Sequence, residues 1–410
     1  MTTNFKFNLL LKECPCKLVS IEKSGTKSAS LATLYLFTAL TVSTSALAEE
    51  ISTAQSASIE SSPTEHQMSD HNHGNAPAGV HGAELIGSGS FGFSYTPMFM
   101  HMSDNYIGSS TVSSQTIVTT IPSQMTMANG MGMPMAEMYR VVPTSMDTQS
   151  HMFNFMYGVN ESLNLMIMAS YQQKSMTMTT YSGSSGTTVL GSSLATTLGL
   201  GDTAISSLWR IFKDTSNDAN LNFGVSLPTG SRTENITMLS PMLGAMNMPM
   251  YMSMRASYGM QLGTGTYDVL SGLTFLNHTN KWTWGAAWRG RFALGNNTEG
   301  YHYGDLNEVT GWGGYTYSPG LTWSARIVEG HQNQIHGSDP MITGLMQGTN
   351  PSFYGGTHTD LLGGVEIAGG PWGFKNKHLA LEAGETVIQN LYGPQLGRSW
   401  VVNLALGASL

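Results

Sequence analysis

Apolar and polar residues alternate with a period of two in a dozen stretches between Gly87 and the end of the chain. That period belongs to a β-strand with one apolar face. Phe91, Phe93, Tyr95 and Phe99 share one face of the first stretch, and Phe153, Phe155, Tyr157 and Val159 one face of the second. Leu163, Leu165, Ile167, Ala169 and Tyr171 follow, and the pattern recurs through Ile205–Ile211, Leu221–Leu227, Tyr267–Phe275, Trp282–Trp288, Val309–Tyr317, Leu321–Ile327, Leu361–Ile367 and Leu379–Ala383. The last stretch places Trp400, Val402, Leu404, Leu406, Ala408 and Leu410 together. The opposite face is polar, with Asn154, Asn164, Ser170, Gln172, Asn220, Asn222 and Asn403 among its members.

Alternation alone fits a soluble sandwich as well as a membrane barrel, so the connections carry the distinction. Residues 101–144, 173–200, 228–265, 293–306, 331–357 and 386–397 read as long connections. Those at Asn160–Glu161, Lys213–Asp218, Asn277–Lys281, Ser318–Gly320 and Gly369–Lys377 are short. Strict alternation of short and long is the mark of an outer-membrane barrel, with short periplasmic turns and long extracellular loops. The expected fold is therefore all-β: a transmembrane antiparallel up-and-down β-barrel of about 12 strands, spanning 87–410. Trp and Tyr near strand ends would form its interfacial girdles. The final strand resembles the C-terminal signal read by barrel-assembly machinery, with Leu410 where Phe or Trp is usual. A soluble periplasmic β-sandwich binding protein is the competing fold.

Ahead of the alternating region, residues 31–48 form an apolar stretch ending in Ala46-Leu47-Ala48, preceded by Lys17, Lys23 and Lys27. A positive region, a short apolar region and a small-x-small end describe a cleavable signal peptide, assigned here to 1–48. No other segment approaches the ~20 apolar residues of a membrane-spanning helix. Residues 49–86 are polar, hold His66, His71, His73 and His81, and read as an N-terminal tail. Both cysteines, Cys14 and Cys16, fall in the export segment, so the chain beyond it has no thiol for a disulfide or a metal.

Only 11% of the 410 residues are Asp, Glu, Lys or Arg, against roughly 25% in soluble domains. Five of the 18 basic and two of the 26 acidic residues lie in 1–48, leaving a net charge of −11. A nucleic-acid partner calls for the opposite sign. There is no Gly-x-Ser-x-Gly elbow, His-Glu-x-x-His or P-loop, so no enzyme is expected. The remaining partners are outer-membrane lipid and a small-molecule cargo.

Two sets of residues are candidates for a site. Arg210, Asp268, Arg289, Arg291, Glu308, Arg326, Asp360, Glu366 and Glu382 share the polar, lumen-facing side. They would brace a narrow barrel as ion pairs or form a selectivity constriction. The second set is methionine, of which there are 28, clustered as Met-x-Met. Met98, Met100 and Met102, Met176 and Met178, and the loop series Met246, Met248, Met250, Met252 and Met254 would converge on the extracellular mouth. Thioethers pack adaptably against apolar ligands and also bind Cu(I), with His71 and His73 as a second possible donor pair.

Five short motifs occur in order: Asn75–Gly82 (Asn-Ala-Pro-Ala-Gly-Val-His-Gly), Gly199-Leu-Gly-Asp202, Ser226-Leu-Pro-Thr-Gly-Ser231, Gln261–Asp268 (Gln-Leu-Gly-Thr-Gly-Thr-Tyr-Asp) and Gly393-Pro-Gln-Leu396. With these motifs the chain resembles, over about residues 70–410, the proteobacterial outer-membrane transporter family labelled phenol-degradation meta-pathway proteins. The resemblance implies a Gram-negative outer-membrane barrel that transports small hydrophobic, aromatic-type compounds; apart from possible Cu(I) on the methionines, no cofactor is expected. A Met- and His-rich copper-handling outer-membrane protein is the competing function.

Overall fold

The computed structural model describes residues 76–128, 134–243, 248–374 and 376–410. The export segment, His66, His71, His73 and Met246 lie outside the described residues.

Eleven strand segments form one antiparallel ring: β1 (Phe91–Gly108), β2 (Val141–Asn160), β3 (Leu163–Tyr181), β4 (Thr203–Lys213), β5 (Asn217–Leu227), β6 (Asp268–His278), β7 (Trp282–Ala293), β8 (Leu306–Ser318), β9 (Leu321–Gln332), β10 (Gly356–Ala368) and β11 (Lys377–Ser409). Each pairs with the next, and β11 closes onto β1. An odd number of strands cannot close with every neighbour antiparallel. The 33-residue β11 resolves the parity. Its residues 378–391 pair with β10 and its residues 391–409 with β1. The two halves also face each other, since Asn403 Nδ2 donates to Glu382 Oε2 at 3.2 Å and the Ser409 amide to the Asn376 carbonyl at 3.0 Å. β11 is therefore a hairpin folded near Tyr392, and the wall makes twelve passes. A two-layer sandwich does not form, because one sheet closes on itself.

The two faces of the wall divide as the alternation requires. Phe91, Phe155, Ile167, Ile205, Phe223, Leu273, Trp284, Val309, Trp323, Leu361 and Leu381 are exposed on the outside. Asn154, Asn164, Asn220, Asp268, Arg326, Asp360, Glu366, Glu382 and Asn403 are buried inside. A belt of large apolar side chains around a polar interior is stable only in lipid. The closed ring also pairs the backbone groups that lipid cannot solvate.

The end holding the C-terminus has short turns. At Asp214, one carboxylate oxygen accepts the amides of Ser216 and Asn217 at 2.8 and 2.7 Å and sets the β4–β5 turn. Gly320, with φ +81°, supplies the left-handed residue between β8 and β9. At the far end, several stretches read as loops are strand instead. Residues 386–397 belong to the β11 hairpin. β1 runs on to Gly108, β2 begins at Val141, and β3 continues to Tyr181. The upper part of β3 pairs with a further strand, Val189–Leu200, from Tyr171↔Leu200 to Tyr181↔Val189. Beyond the apolar belt the outer face need not be greasy, so the alternation fades while the ladder continues.

Candidate functional site

The lumen is occupied at both ends by chain. Near the terminal end lies part of the segment read as a polar tail. Residues 76–86 do not project away from the barrel but run inside it. Ala78 packs with Ala380 and Ala405, while Val80 and Ala83 pack with Leu276, Ala287 and Trp312. The wall supplies this segment with hydrogen bonds where a strand partner would. The Gly79 amide donates to Glu382 Oε2 at 3.2 Å. Arg289 Nη2 donates to the His81 carbonyl at 2.7 Å, and Asn220 Nδ2 to the Ala83 carbonyl at 2.6 Å. These partners come from β11, β7 and β5, so the segment crosses the lumen. Buried backbone groups without such partners would be costly. A Cβ at Gly79 would lie 2.3 Å from Arg326 Nη2, so a larger residue there would displace the guanidinium from its place beside Glu382. A space of about 170 Å³ remains beside the segment, lined by His81, Thr96, Asn154 and Met156.

At the far end, the connection between β5 and β6 folds inward. Ala256, Ser257, Tyr258, Met260, Gln261 and Leu262 are all buried. Tyr258 stacks edge-on against Tyr301 and Tyr354 with centroids at 4.9 and 5.7 Å. Tyr303 donates to the Tyr258 carbonyl at 2.6 Å and Tyr354 to the Gly348 carbonyl at 2.7 Å. Burial pushes the Tyr354 phenol up to about 12, so it remains a donor at any physiological pH.

Beneath this cap lies a chamber of about 590 Å³. Its wall on one side is methionine, because every second residue of β1, β2 and β3 points inward. In register, Met102 faces Met146 and Met146 faces Met176, a row of three thioethers across three strands. The next row inward is Met100, Thr148 and Lys174. Met98, Met152 and Met168 add to the apolar lining, with Leu262, Leu270 and Phe353, and Tyr258, Tyr303 and Tyr354 face it from the cap. The row belongs to one cluster, in which Met102, Met146 and Met176 join Met178, Met238, Met254, Met260 and Met346 with Val141, Ile236 and Leu396.

The expected convergence of methionines therefore takes a different form. Met98, Met100, Met102 and Met176 line a chamber inside the barrel, with Met178 buried behind it. Of the loop series, Met254 alone joins the cluster among the described residues. Met248, Met250 and Met252 are 62%, 44% and 38% exposed, on or beside the hairpin Asn235–Leu239/Tyr251–Arg255. A loop that bends into the barrel carries Tyr258 and Met260 to the lumen and leaves its Met-rich tip outside.

Most of the lumen charges are paired. Arg326 and Glu382 make two hydrogen bonds of 2.7 Å. Arg210 Nε lies 3.1 Å from Asp218, and Arg291 Nε 3.8 Å from Asp268. Glu308 is the ladder neighbour of Arg289. Asp360 pairs with Arg398 at 3.3 Å and accepts from Thr386 at 2.7 Å. Glu366 carries a buried oxygen, Oε1, with no hydrogen-bond partner. Sequence reasoning missed Lys174 and Asp202, which line the chamber, and Arg398. Lys174 fell in a stretch read as loop, although the polar face of β3 runs through it in step with Ser170 and Gln172.

No family model and no curated protein matches the chain. Solved structures do resemble it. The COG4313 outer membrane channel from Pseudomonas putida F1 aligns with TM-score 0.48 and 10% identity, covering 81% of this chain and 99% of that one. The Pseudomonas putida toluene transporter TodX gives TM-score 0.37 and 8% identity, with 79% and 90% covered. The Ralstonia pickettii toluene transporter TbuX gives TM-score 0.36 and 12% identity, with 81% and 91% covered.

Proposed function

We propose that the chain is an outer-membrane channel for small, mainly hydrophobic molecules, taken up through the far end and released past the N-terminal segment. The carrying observation is the chamber. A lipid-exposed apolar belt surrounds a 590 Å³ space lined by thioethers and tyrosines together with polar side chains such as Ser150, Gln172 and Gln347, which is the volume and mixed lining of a site for an organic molecule. Methionine suits a surface that must fit varied shapes, because its side chain is unbranched and polarisable. In this reading the far end is extracellular, and both the short turns and the C-terminus are periplasmic. Export through the Sec route and insertion by barrel-assembly machinery go with that placement. Residues 76–86 cross the lumen on that route, with a space of about 170 Å³ beside them, and their movement would widen it.

Liposomes containing the mature protein test this reading. They are expected to admit aromatic solutes such as toluene faster than protein-free liposomes. Equal rates for every solute tried would leave a closed structural barrel as the better description.

A further inference from the structure

The charged lining of the chamber has a sign. Three ionic side chains border it: Lys174 on β3, Arg291 on β7 and Asp202 just before β4. Asp202 already takes three hydrogen bonds from the protein, so the lining carries two cations against one largely occupied carboxylate. Its Oδ1 accepts the Gly230 amide at 2.9 Å, and its Oδ2 accepts the amide and hydroxyl of Thr264 at 2.7 and 2.8 Å. The two cations are not saturated. Lys174 Nζ donates to the carbonyls of Gly259 and Gln261 at 3.1 and 2.6 Å, which uses two of its three protons. Arg291 makes no hydrogen bond among the described residues. Its contact with Asp268, at 3.8 Å, is too long for one. The Asp268 carboxylate meanwhile accepts from Thr266 Oγ1 at 2.5 Å.

A neutral cargo filling this space would strip water from an ammonium and a guanidinium and give nothing back, which is unfavourable. A carboxylate would complete both, and it matches the planar fork of arginine in particular. The methionine wall then takes the rest of the molecule.

We propose that the chamber selects carboxylate-bearing amphiphiles, aromatic or aliphatic acids whose head group lies between Lys174 and Arg291 and whose apolar body lies along Met98, Met100, Met152 and Met168. This rests on the channel reading above and narrows it from hydrophobic molecules in general to organic acids.

Titration calorimetry on the refolded mature barrel tests it with two probes of one shape, 4-phenylbutyrate and 4-phenylbutyramide. The acid is expected to bind at least about tenfold more tightly. Arg291→Gln is expected to bring the ratio close to one, and Arg291→Lys, which keeps charge without the fork, to leave an intermediate ratio. Heat-modifiable gel migration establishes that each variant is a closed barrel, and Lys174→Gln gives an independent route to the same loss. Equal binding of acid and amide, no binding of either, or a ratio unchanged in Arg291→Gln overturns the inference. Flux into liposomes separates it from the channel reading. Amide that crosses without any preference for acid leaves the channel and removes the acid site. Selective acid binding with no flux of either probe does the reverse.

Discussion

Arg326 and Glu382 lie on strands that are not neighbours, yet two hydrogen bonds of 2.7 Å join them across β10. The register explains how. Glu382 stands opposite Gly364, which offers no side chain to the lumen, and Arg326 stands opposite Leu362. The same carboxylate takes the Gly79 amide and the Asn403 side chain. One buried ion pair thus fastens two strands and the lumenal segment.

Loosening that fastening should free the segment while the barrel stays closed. Breaking a buried ion pair from one side costs about 3–5 kcal/mol. Glu382→Gln leaves Arg326 half-satisfied, and Gly79→Ala forces a methyl against its guanidinium. The chain beyond residue 48 has no cysteine, so Val80→Cys gives a clean reporter. A membrane-impermeant maleimide is expected to label it at least about tenfold faster in either background. Unchanged labelling would mean that the segment is held by packing alone.

The outer belt makes a second prediction. Ile167 is 49% exposed and stands between Phe155 and Ile205 in the ladder. Ile167→Arg is expected to destabilise the barrel by about 2–4 kcal/mol, as for a charge near the bilayer midplane. The measurement is the urea midpoint of unfolding from vesicles. A change below about 0.5 kcal/mol would place Ile167 outside the hydrocarbon layer.

The thioether row allows packing and metal binding to be told apart. Met102, Met146 and Met176 changed together to Leu keep volume and apolarity, and such exchanges cost under about 1.5 kcal/mol each. If the row serves organic cargo, the triple variant binds 4-phenylbutyrate within a few-fold of the original, and neither protein competes with a chelator for Cu(I). Micromolar or tighter Cu(I) binding that vanishes in the triple variant would assign the sulfurs to metal instead.

Arg140 organises the far end. Its guanidinium is fully buried and donates to the carbonyls of Val118, Ser182, Ser185 and Gly186 at 2.9–3.3 Å. Arg140→Met removes every one of these donors. Proteolytic nicking within 182–188 is expected to become at least about tenfold faster, with the unfolding midpoint of the wall little changed. A loss of wall stability equal to the loop effect would show that loop and barrel unfold together.

The wall was legible because lipid imposes the same demand at every second residue of every strand. Ile167, Trp284 and Leu381 announce it one strand at a time. The parts that lay hidden answer to no such repeat. Lys174 and Arg398 fall in strand extensions past the belt, where the outward residues are free to vary and the period dissolves. Residues 76–86 read as part of a polar tail because their partners are single side chains from distant strands, Asn220, Arg289 and Glu382. The inward bend at Tyr258 depends on Tyr301, Tyr303 and Tyr354, which no local pattern connects. The methionines stood out by number, but which of them meet depends on where that loop turns.

The hairpin within β11 limits how such a wall could change by duplication or deletion. A lone strand added or removed would bring two neighbours into the same direction, and the seam between Phe91 and Leu410 could not form as it does here. Insertions and losses would therefore be tolerated in even steps, one whole hairpin at a time. A thirteen-pass wall would have to close through one parallel seam in place of the antiparallel pairing of β1 with β11.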